Sequence, residues 1–163
     1  MIQDRFDTLA SLRRARDLVE QRARPDGNFD GWDGRDVLCH LAAYARVVGA
    51  MLRATAEKRA ATNVELYGRE LTPEELAMTD LDEINAAAQR ETAALSYTEA
   101  LALWRASHAE TLAQAARLTG AQFAAPGPAS PANWWRPHLA EVVTALTDHY
   151  AAHMAGHVAA DSR

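Results

Sequence analysis

No stretch of this chain alternates apolar and polar residues for long enough to make a strand; its apolar residues recur three and four apart. That period is the mark of amphipathic helices, and it restricts the chain to an all-α architecture. The clearest case is Val37, Leu41, Tyr44, Val48 and Leu52, one face of a helix expected over residues 34–58. Asp33 stands where an N-cap is needed, with Asp36 three positions later, and Trp32 before the cap pairs with Val37 behind it as a hydrophobic staple. A first helix is expected over 3–24, with Phe6, Leu9, Leu12 or Arg13, and Val19 as its core stripe and Pro25-Asp26-Gly27 as its stop.

A third helical region spans 81–118, with Ile84, Leu95, Ala100, Leu103 or Trp104, Leu112 and Leu118 as apolar positions. It exceeds the usual globular helix, so a break is expected near Ser96, with Ser96 or Thr98 capping the second half. The last helix is expected over 138–160, with Val142, Leu146, His149, His153 and Gly156 near one stripe. Two connections are irregular. Residues 59–80 contain a glycine turn and a proline-led short helix with Thr72 as its cap, and Gly120–Pro137 carries GPASPANWWRPH, too stiff and aromatic for a plain linker. Four long helices in 163 residues predict one domain over 1–163: a four-helix bundle with short extra helical segments in its long connections.

The end of the chain carries the chemistry. His149, His153 and His157 are four residues apart in DHYAAHMAGHVAA, so one helix face presents all three, each about 6 Å further along the axis. Adjacent members can converge on one metal ion; the outer two, about 12 Å apart in axial rise, cannot. His40, in WDGRDVLCHLAAY, is available to complete a site from another helix. The expectation is a metal centre closed by tertiary packing, from His40 and one adjacent pair of the last helix. Neutral imidazoles suit a divalent metal, zinc or nickel first, and three protein ligands leave a coordination position open.

Composition narrows the partners. A formal charge of −5 with scattered basic residues argues against a general nucleic-acid binder. No membrane-spanning segment is read in the sequence, and the start MIQDRFDTLA lacks a basic-then-apolar leader, so a cytoplasmic protein is expected. Cys39 is the sole cysteine, which rules out an internal disulfide. Beside His40 it points about 100° away around the helix, and it reads as a buried, inert thiol.

WDGRDVLCHLAAY followed far downstream by DHYAAHMAGHV resembles the DinB-like (DinB/YfiT) four-helix superfamily. The resemblance covers nearly the whole chain in motif order and spacing. Within the superfamily, LDEINAAAQRE, the serine-containing helix before the aromatic loop and the HYxxH-like ending are similar to ClbS/DfsB-like proteins. The Trp-to-His segment also looks like that of mycothiol-dependent maleylpyruvate isomerases, whose first last-helix ligand is usually Glu where this chain has His149. What the resemblance implies is a metal held by His40, His149 and His153, with His157 one turn beyond the ligand pair. The shifted register would use His153 and His157.

Around that centre Tyr44 and Tyr150 are expected as pocket walls, Trp134 and Trp135 as a pocket mouth, and Arg136 beside them as a contact for an anionic group. Trp32 is expected to be structural, locking the chain into the second helix. Asp148 reads as a solvated residue, Arg46 lies nearly two turns from His40 and is no ligand, and His108 and His138 have no assigned partners. The resemblance implies a metal-dependent enzyme of stress protection or detoxification. It would transfer a low-molecular-weight thiol to a small reactive electrophile, or hydrolyse it. The competing class is a non-catalytic binding or sequestration protein. A homodimer is expected.

Overall fold

In the computed structural model the described residues are 5–70, 72–76, 89–125 and 138–160, without the side chains of 75, 76 and 156–160. They form seven named helices: α1 (Arg5–Arg22), α2 (Gly34–Ala56), α3 (Asn63–Tyr67), α4 (Pro73–Leu76), α5 (Tyr97–Arg117), α6 (Gly120–Ala124) and α7 (Leu139–Ala160). Residues 89–92 are also helical, and no strand occurs among the described residues. The chain is an all-α helical bundle whose long members are α1, α2, α5 and α7.

The sequence punctuates these helices legibly. Asp33 caps α2, its carboxylate accepting from the Asp36 amide at 2.8 Å. Ser96 opens α5 and Thr62 opens α3, each with a reciprocal box to a glutamate three residues on. The break at Ser96 is therefore where the long third region divides. Thr119 and Gln122 close the same kind of box on α6, a short helix within the second irregular connection, and Phe123 anchors it in the core.

α2 is the central element, buried almost all round, and it packs most extensively on α5, with α7 and α3 on other sides. Arg35 donates to the Thr92 carbonyl and Arg53 pairs with Glu110, a constant sequence offset, so α2 and α5 run in the same direction. The long crossing between them follows from that. α1 is antiparallel to α5, since Arg5 reaches Ala116 and Arg105 reaches Glu20. Close approach at the α2–α5 seam needs a small residue: a Cβ on Gly49 would stand 3.0 Å from the Thr111 hydroxyl, which itself lies 2.6 Å from the Ala45 carbonyl.

Two expectations are corrected. Phe6 is 72% exposed and Arg13 is exposed, whereas Thr8, Leu9, Leu12, Ala15 and Val19 are buried. At 100° per residue Phe6 lies about 130° from the centre of that buried stripe, on the solvent side. Secondly, α2 does have the length and apolarity to cross a membrane, but most of it is buried inside the bundle. Its apolarity is that of a core helix, contacted from several sides at once.

Candidate metal centre

The site is assembled from a turn, the start of α2 and the second half of α7. Phe29 and Trp32 exchange both backbone hydrogen bonds, at 2.8 and 3.2 Å, across Asp30 (φ 55°) and Gly31 (φ 92°). Two positive φ values in succession belong to the tight turns that glycine and aspartate tolerate. Asn28 accepts from the Gly31 amide at 2.9 Å, and Phe29 is buried beneath the turn. Trp32 is thereby held directly ahead of the Asp33 cap. Two turns into α2 comes His40, and one turn further Tyr44 follows on the same face.

His40, 3% exposed, meets two half-buried histidines of α7, His149 and His153. One ligand atom from each lies within 4.8 Å of the others. His40 Nε2 and His149 Nε2 are 2.8 Å apart, and the ring centroids are 4.8, 4.8 and 4.6 Å apart pairwise. Nitrogens bound tetrahedrally to one zinc ion stand about 3.4 Å from each other, given Zn–N near 2.0–2.1 Å. The observed spacings bracket that value. His40 Nδ1 is buried without a hydrogen-bond partner among the described residues.

Electrostatics favours neutral rings. Burial, reinforced by His149 and His153, pushes the His40 pKa down to about 3. Burial and then His153 push His149 down to about 4, and burial lowers His153 against an opposing pull from Asp30. Three uncharged imidazoles in a low-dielectric setting are lone-pair donors with no proton to displace. Their chemistry fits a divalent first-row ion.

Aromatic rings wall the triad. Tyr44 stacks on His149 (4.1 Å, 23°) and tilts against His40 (4.9 Å). Trp32 stacks on His153 (5.8 Å, 16°) and meets His40 edge-on (4.8 Å, 76°). Trp32 is thus part of the site as well as of the turn. Its place eight residues ahead of His40 is a signal for this role only once the turn geometry is known.

The other candidates sit elsewhere. Tyr150 is fully buried away from the triad, against Trp104 and His108, its hydroxyl 3.5 Å from His108 Nδ1. One residue beyond His149 it is turned about 100° around α7, which takes it from the pocket into the core. Asp148 is exposed, and His138 lies 3.1 Å from the Ala124 carbonyl at the start of α7. Cys39 is buried on the α5 side of α2, where burial raises its pKa. Arg46 lines the same α2–α5 cleft with Ser107 and Glu91. Trp134, Trp135 and Arg136 lie outside the described residues, as does the side chain of His157.

A family model described as the DinB superfamily matches residues 3–159. No curated protein and no solved structure matches the chain.

Proposed function

The chain belongs to the DinB superfamily, and we propose that it is a metal-dependent enzyme of stress protection or detoxification acting on a small reactive electrophile. Its reaction in this reading is transfer of a low-molecular-weight thiol or hydrolysis, in line with the resemblance to the superfamily. The observation that carries this reading is the convergence of His40, His149 and His153 from two helices within 4.8 Å. Such a triad has no need of metal to hold the fold, since the core of the bundle closes on apolar side chains.

In this reading the three histidines hold a zinc or nickel ion through neutral nitrogens. A bound divalent ion supplies Lewis acidity, for a thiol or water nucleophile or for the electrophile itself. His149 and His153, both half-buried, form the side of the triad open to substrate, while Trp32 and Tyr44 offer apolar ring surface beside it. Cys39 is no nucleophile here, because it is buried about 100° around α2 from His40, against the cleft with α5. A free buried thiol accords with a reducing compartment, the cytoplasm in this proposal. A homodimer completes it, with Phe6, 72% exposed on α1, as a supporting apolar contact; light scattering over the micromolar range tests that part.

Mass spectrometry of a panel of electrophiles, with several thiols or water alone, decides the activity. Product is expected from metal-loaded protein and none from metal-free protein or the H153A variant. Ligand bound tightly but recovered unchanged in both states would make the protein a sequestration module instead.

A further inference from the structure

We infer that Trp32 and Tyr44 are the positioning residues of the histidine triad, fixing the imidazole planes by ring contact where hydrogen bonds ordinarily do so. Metal-ligating histidines usually donate their second ring N–H to a carboxylate or carbonyl, which sets tautomer and orientation. Among the described residues that arrangement is missing. His40 Nδ1 is buried without a partner, and among the described residues the three rings share a hydrogen bond only between His40 and His149. Left to themselves, imidazoles turn broadly about χ2.

Ring contacts supply the restraint. Tyr44 lies nearly parallel to His149, Trp32 nearly parallel to His153, and His40 is wedged between both aromatic groups. Each imidazole therefore has at least one aromatic neighbour that resists rotation about χ2. The restraint is anchored differently on the two sides. Tyr44 rides on α2 one turn beyond His40, while Trp32 is fixed by the Phe29–Trp32 turn and the Asp33 cap. Trp32 thus couples the α1–α2 connection to a ligand on α7.

This inference rests on the metal reading and is separable from it. Zinc affinity by chelator competition and the visible spectrum of the cobalt(II) form are measured for wild type, Y44F, Y44L, W32F and W32L. The leucine variants are expected to bind zinc about 10–100-fold more weakly, the cost typical of lost ligand support, with altered cobalt bands. The phenylalanine variants keep a ring face and should stay within about threefold, so retention by Y44F shows that the ring, not the hydroxyl, is what matters. Thermal melts of metal-free protein separate loss of fold from loss of positioning, and Y44L carries the test if W32L does not fold. Wild-type affinity and wild-type cobalt spectra in the leucine variants would overturn the inference. If wild type takes up no ion, the metal reading fails first. Imidazole proton resonances of the metal-free protein then decide the positioning: His149 should lose its ring-current shift in Y44L, and an unchanged shift sinks the idea.

Discussion

His40 Nε2 and His149 Nε2 stand 2.8 Å apart across 109 residues of sequence, joining the second helix of the bundle to its last. Between two neutral rings this contact is a single hydrogen bond, worth about 1 kcal/mol net. The same nitrogens directed at a shared cation bind the two helices far more strongly, and the folded state then gains from mass action. Zinc at about 1,000 times its Kd should stabilise the protein by about 4 kcal/mol, roughly 8–16 °C in Tm for a chain of this size. Differential scanning calorimetry with and without zinc reads this directly. H40A, H149A and H153A should each remove the shift and lower metal affinity by more than about 100-fold, beyond what loss of an outer partner costs. H157A should do less. Equal metal retention in all four, by elemental analysis after identical loading, would end the case for this centre.

A histidine outside the triad, His108, makes stability depend on pH. His108 is 1% exposed on α5, and burial first, then Arg16, holds its pKa down to about 4. As pH falls through 6.5 the unfolded chain takes up this proton, and the folded chain does so only near pH 4. Stability is therefore complete above about pH 6.5 and is lost progressively toward pH 4, by about 3 kcal/mol from this group. The triad histidines shift in the same sense, so the comparison needs H108L. Urea unfolding of metal-free protein between pH 4.5 and 7 should show a shallower pH dependence in H108L than in wild type; identical slopes would refute the assignment.

Much of this could be read ahead of the structure because the signals are local. Asp33 and Ser96 cap the helices they were expected to cap, since an N-cap needs only its own turn. The inward facing of His40 follows from a helical repeat counted on Val37, Leu41 and Tyr44. What resisted reading depends on which neighbour packs where. Phe6 and Leu9 are both apolar, yet only Leu9 is buried, because α1 has a single buried stripe. Tyr150 sits beside a triad histidine in sequence but turns toward Trp104 and His108, residues of α5 that no local pattern links to α7. Trp32 reaches the site through two successive positive φ values at Asp30 and Gly31, a detail the glycine permits but does not announce.

Cys39 offers a test of the wall between the two sides of α2. Its thiol is 2% exposed and burial raises its pKa, so little thiolate forms at neutral pH. Labelling by a thiol reagent should reach less than about one tenth of the protein on the timescale that fully labels it in denaturant. C39A should retain the full metal content of wild type. Rapid native labelling, or a loss of metal in C39A, would place the thiol in the site after all.

The α1–α2 connection makes the sharpest stability prediction. A Cβ on Gly34 would lie 1.9 Å from the Arg24 carbonyl oxygen and 2.7 Å from its carbon, both backbone atoms with no side-chain freedom to yield. G34A should therefore force the turn open and cost about 1–3 kcal/mol or more, the range for overpacking. Because the same connection holds Trp32, zinc affinity should fall with it. D33A loses the cap to the Asp36 amide but keeps the turn's own hydrogen bonds, so its cost should be about 1 kcal/mol. Gly120 is the control, with open space where its Cβ would be and no positive φ. Chemical denaturation should rank G34A as most destabilised, D33A next, and G120A within about 0.5 kcal/mol of wild type. A G34A protein as stable as G120A would mean that the chain does not approach the start of α2 this closely.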